Sequence, residues 1–122
     1  MSYINKSGKN TSWRNHVINN LVADVILHEK LETSLPMAQS LTKSLAKLIK
    51  WAKQDTLHSR RLALRYLVNK KNNEDKNGEK LMDKLFSDLK ERYKDRAGGY
   101  SRIIKSNYRI GDGNMRVVFS LV

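Results

Sequence analysis

The sequence contains no cysteine. That absence excludes a disulfide framework, a thiolate nucleophile and a zinc ribbon or knuckle, and it fits a reducing compartment. Long apolar runs are missing too. None approaches the roughly 20 residues that span a bilayer, and the opening MSYINKSGKN lacks the apolar segment of a secretory signal. The expectation is therefore a cytoplasmic protein with no membrane partner. Acidic residues are the third shortage: 12 Asp and Glu stand against 24 Lys and Arg, a formal net charge of +12. Charge on this scale repels itself in a compact chain and exceeds what solubility needs, so a polyanionic partner that neutralises it is expected. A chain of 122 residues has room for one domain with a modest core.

Groups that could perform chemistry are also scarce. His16, His28 and His58 have none of the common metal-ligand spacings, and His28-Glu29 lacks the second histidine of a zinc-protease helix. AGGYSR lacks the Lys-Ser/Thr of a phosphate loop, and no serine sits in a local nucleophile signature. No enzyme and no cofactor are expected.

What is present reads as a scaffold. Residues 1–11 form a polar arm with Lys6 and Lys9 and no acid. A helix starts near Ser12, a possible N-cap, and runs to about His28 on Val17, Leu21, Val25, Ile26 and Leu27. LETSL alternates as a strand over 31–35, and Pro36 opens a second helix to about Lys53 with Ala38, Leu41, Leu45, Leu48 and Ala52 in one stripe. Lys43, Lys47 and Lys50 fall on its opposite face, a pattern that by itself reads as solvated surface. A third helix with Arg60, Arg61 and Arg65 runs to about Val68 and docks through Leu57, Leu64, Leu67 and Val68. KKNNEDKNGEK, residues 70–80, has no apolar residue and reads as an exposed loop. A fourth helix carries Met82, Leu85, Phe86, Leu89 and Tyr93 on one face. Strands over 100–109 and 115–122 close the chain as a hairpin through Ile110–Asn114. The expected fold class is α+β in two layers, helix-strand-helix-helix-helix-strand-strand, with the helices on one face of a small mixed three-stranded sheet.

DRAGGYSRI, residues 95–103, differs from ordinary soluble-domain sequence. Gly98-Gly99 implies a turn needing positive φ or a close approach of something to the backbone, and the flanking Arg96 and Arg102 with Tyr100 suggest that what approaches is anionic and planar. Together with YRIGD, LHEKLETSL and SLAKLIKWAK, this stretch resembles the bacterial large-subunit ribosomal protein seventeen family, over nearly the whole chain. The matching positions include Asn20-Leu21, His28-Glu29, Thr33-Ser34-Leu35, Arg60-Arg61, Arg96 through Arg102 and Arg109-Ile110-Gly111-Asp112. The departures are local: Trp13-Arg14 where the family has His-Arg, Ala46 for an acid, a long 70–80 loop and Ser120 for Glu.

The resemblance implies a structural protein that binds large-subunit ribosomal RNA near the peptide exit tunnel and touches neighbouring ribosomal proteins. Expected RNA contacts are Lys6, Lys9, Arg14, Asn15, Arg60, Arg61, Arg96, Gly98, Gly99, Tyr100, Arg102, Lys105 and Arg109. Tyr100 would either stack on a base or pack at the sheet edge. The free protein is expected to be a monomer. A free RNA- or DNA-binding regulator is the alternative; it would need a recognition helix and usually a symmetric dimer, neither of which is evident.

Overall fold

The computed structural model describes residues 8–67 and 80–122. Most of the expected arm and, except for the exposed Lys80, the expected 70–80 loop lie outside the described residues. Helix α1 spans Thr11–His28, and its cap is Asn10 rather than Ser12: the Asn10 side chain accepts a hydrogen bond from the Trp13 backbone N–H at 2.8 Å. Only its second half is deeply buried, through Val22, Ala23, Val25, Ile26 and Leu27. The first half therefore projects past the core.

Strand β1, Lys30–Ser34, leads into α2, Leu35–Gln54, with Pro36 in the first turn, where a missing N–H costs nothing. Ala38, Leu41, Leu45, Leu48, Ile49 and Ala52 recur at spacings of three and four and bury one side of α2, making it the central helix. Helix α3, Leu57–Leu67, begins at a reciprocal cap in which the Thr56 and Ser59 backbone N–H groups each donate to the other's hydroxyl. It docks on Ser59, Ala63 and Leu67, not on Leu57 and Leu64, which are 66% and 36% exposed. The reason is spacing: Ser59, Ala63 and Leu67 step by four along one face, and the small residues let the backbone come close to α2, which turns Leu57 and Leu64 outward.

The last helical run begins as α4, Leu81–Lys84, passes through a π-helical segment, Leu85–Leu89, and ends as α5, Lys90–Arg92. Leu81, Leu85, Leu89 and Tyr93 are all buried. A strict step of four drifts around an α-helix, and the wider π turn brings those side chains back to one face.

Strands β2, Ser101–Tyr108, and β3, Met115–Leu121, form the hairpin. The sheet order is β1-β3-β2, and both pairings are antiparallel, so the sheet is not mixed as expected. Strand β1 joins beside β3 rather than beside β2, with Leu31 opposite Phe119, which is in turn opposite Ile103. Val117, Phe119 and Leu121 point into the helical layer, as their alternation predicts. Among the described residues no helix is long and apolar enough to cross a membrane.

Candidate nucleic-acid interface

Because α2 commits one face to the core, Lys43 and Lys47, one helical step apart, stand on its outer side. There the projecting half of α1 and the end of α3 enclose a groove of about 740 Å³. Asn15, Ile18 and Asn19 form one wall, Gln39, Ser40, Lys43, Ser44 and Lys47 the floor, and Arg65 and Tyr66 the other wall. Among the described residues no Asp or Glu lines it. Three cations and several amide and hydroxyl groups in a concave, acid-free track match what a phosphate backbone requires.

A second hollow, of about 590 Å³, lies between α2 and the Gly-Gly turn, lined by Thr42, Ala46, Lys50, Lys53, Gly98, Gly99 and Tyr100 among others. Gly99 has φ 64°, so the turn needs glycine there. A side chain at Gly98 would meet nothing within 4 Å, so neither the turn nor the protein's own packing explains that glycine. The space above it is open to an outside group. Lys53 donates to the Arg96 carbonyl at 2.6 Å and to the Tyr100 hydroxyl at 3.3 Å, and that hydroxyl donates to the same carbonyl at 3.2 Å. The Tyr100 ring is buried edge-on against Tyr93 at 5.2 Å, the packing arrangement rather than a free stacking platform.

Other cations are committed inside the molecule. Asp55 ends α2 in the left-handed region, φ 46°, and binds Lys90 and Arg60, each at 2.7 Å. Hydrogen bonds from Lys90 and then Arg60 hold its carboxyl below the ordinary range. Glu29 ends α1 at φ 64° and binds Arg92 at 3.2 Å and Lys84 at 3.5 Å. Burial pushes the Glu29 carboxyl up, but Arg92 and Lys84 together outweigh it and leave the group below its usual value. The buried Lys84 also donates to the Leu27 carbonyl at the end of α1. At the hairpin end Arg109 grips Asp112 through two hydrogen bonds, of 2.9 and 2.6 Å, and with the Asn114 backbone N–H brings the Asp112 carboxyl down to about 2.

The expected contacts thus separate. Lys6 lies outside the described residues. Lys9 is exposed, with its ammonium 5.7 Å from the Trp13 ring centre, and Arg14 donates to the Lys9 carbonyl and the Thr11 hydroxyl. Asn15 is in the groove. Arg61 is exposed, whereas Arg60 is held by Asp55 and lies over Phe86. Arg96 donates to the Gly98 carbonyl at 3.0 Å, and Arg102 and Lys105 stand exposed on edge strand β2. Arg109 is paired within its own turn. The expected contacts did not include the groove's own cations, Lys43, Lys47 and Arg65. The signal was the acid-free lysine column opposite an apolar stripe, but only the projection of α1 turns that column into a groove.

Among the described residues no cluster of His, Asp or Glu could hold a metal ion. The sequence matches the family described as Ribosomal protein L17 over residues 17–122. It is 43% identical over 122 residues to the large ribosomal subunit protein bL17 of Mesoplasma florum and 41% identical over 122 residues to that of Malacoplasma penetrans, with the full length of both chains covered in each case. It is 38% identical over 117 residues to the bL17 of Onion yellows phytoplasma, covering 96% of this chain and 97% of that one. These likenesses, two of which run over the full length of the chain, lead to one conclusion: the chain belongs to the ribosomal protein L17 family, and so to the proteins of the large ribosomal subunit.

Proposed function

We propose that the protein binds large-subunit ribosomal RNA through the α1–α2–α3 groove and the Gly-Gly turn, and by neutralising phosphates there stabilises the local RNA fold. The family is one of structural ribosomal proteins, not enzymes, and its place is the ribosome in the cytoplasm. The observation that supports RNA as the ligand is the groove itself, where Lys43, Lys47 and Arg65 converge with no acid among the described residues. A position near the peptide exit tunnel is carried by the family resemblance. At the hairpin tip Tyr108 and Ile110 are 66% and 104% exposed beside the self-neutralised Arg109–Asp112 pair, a surface suited to a neighbouring ribosomal protein rather than to phosphate. The free protein is a monomer on this reading.

Binding of purified protein to large-subunit ribosomal RNA, measured across a salt series, tests the proposal. Affinity should fall steeply with salt, by roughly 0.7 to 0.9 in log–log slope per phosphate contacted. Equal affinity for ribosomal RNA and an unrelated DNA operator, with a dimer in sedimentation equilibrium, would favour a free regulator instead.

A further inference from the structure

A smaller hollow of about 100 Å³ opens from the groove and shares with it Asn19, Lys43, Ser44, Lys47 and Tyr66. Its inner wall adds Trp51. The Trp51 and Tyr66 rings, one from α2 and one from α3, lie 5.5 Å apart at 44° and are only partly buried. The Lys47 ammonium stands 5.9 Å from one ring centre and 5.5 Å from the other. Packing between the two helices explains why the rings touch. It does not explain why two aromatic faces border a cationic track that no acid among the described residues lines, with the amide of Asn19 and the hydroxyl of Ser44 beside them.

We propose that this hollow receives the base of an unpaired nucleotide. The claim rests on the RNA reading of the groove and adds which RNA feature is read. The phosphates of a single strand would follow Lys43 and Arg65 while one base turns inward against Trp51 and Tyr66. Lys47, which lies over the rings, then moves aside to pair with the adjacent phosphate. Asn19 and Ser44 are placed to meet the base edge. A duplex cannot do this, since its bases are stacked inside the helix and its groove floors do not reach an aromatic wall.

The test uses Trp51 as its own reporter. In a Trp13→Phe background it is the only tryptophan, because the sequence holds two. Titration with a short single-stranded RNA should quench its emission, whereas a blunt duplex of the same length should bind without quenching. Trp51→Leu should weaken single-strand binding about tenfold, as loss of one stacked base does, and leave duplex binding within about twofold. If Trp51→Leu does not fold, the quenching assay on the intact site still decides. RNA binding of normal strength with unmoved emission overturns the inference while leaving the groove reading intact. Failure to bind either RNA at physiological salt overturns both. An emission change caused by RNA-free large-subunit proteins but not by RNA would assign the hollow to a protein partner and overturn the inference too.

Discussion

Two cationic regions of this molecule use the same residue types for opposite ends. Around the last helical run, Lys84, Lys90 and Arg92 meet Glu29 and Asp55, acids that close α1 and α2 in left-handed conformations. In the groove, no Asp or Glu among the described residues stands beside Lys43, Lys47 and Arg65. A non-glycine residue in the left-handed region costs about 1 to 2 kcal/mol, and each of these two positions is held by a pair of cations that offsets part of that cost. Few as they are, several of the acids serve folding on one side, and none of the described ones lines the groove. Net charge alone cannot make this distinction, since it counts Arg109 and Lys43 alike.

The sharpest way to break the comparison is to reverse charge in the groove. Lys43→Glu with Lys47→Glu should weaken ribosomal RNA binding by about a hundredfold at physiological salt and flatten the salt slope by about 2, with an unchanged melting temperature. A filter-binding series across salt concentrations measures it, and an affinity close to wild type would remove the groove from the interface.

The Gly-Gly turn offers the next largest effect and separates fold from contact within two residues. Gly99→Ala should cost about 1 to 2 kcal/mol of stability through its positive φ. Gly98→Ala should leave stability within about 0.5 kcal/mol and still lower RNA affinity, because its added methyl group occupies the space left open to a ligand. Thermal unfolding and RNA titration of the two variants check this, and a Gly98→Ala protein that binds as wild type makes the turn architecture only.

On the clamped side, Glu29→Gln should lower stability by about 1 kcal/mol, since its partners sit at a partly exposed, solvent-screened site. Glu29, Asp55 and Asp112 all have folded carboxyls below their ordinary values. Such groups stabilise the fold in full above the unfolded values of 4.5 and 3.8, and the contribution is lost as pH falls through the lower folded values, which for Asp112 is about 2. Wild-type stability should therefore decline on acidification below pH 4.5, and Glu29→Gln should decline less. The smallest effect is expected at the hairpin: Arg109→Ala should change RNA affinity by no more than about twofold, because its charge is already met by Asp112.

Much of this was legible in the chain, and for identifiable reasons. The stripe of α2 and the alternation of β3 are local periodicities, and the structure follows both. What was not legible depended on neighbours. Leu57 and Leu64 look like docking residues until Ser59 and Ala63 are seen to allow closer approach. Arg60 and Arg109 look like free charges until Asp55 and Asp112 are found opposite them. Lys43 and Lys47 taken by themselves read as solvated surface, because the wall that completes their groove is contributed by α1, far away in sequence. The family pattern gave the kind of protein, but the positions of its cations relative to its acids had to be seen.

The strand order has a consequence for how this chain is made. Strand β3 is synthesised after every other described element, yet it is the common partner of β1 and β2, which do not pair with each other. While the helices are emerging from the ribosome, β1 has no sheet to join, although α1 and α2 can already pack through local contacts. The sheet then forms in one late event across most of the length of the chain, the kind of non-local closure that sets slow folding rates. Until that moment the apolar face that Val117, Phe119 and Leu121 will cover is open. A newly made copy is thus aggregation-prone for as long as β3 is still inside the ribosome.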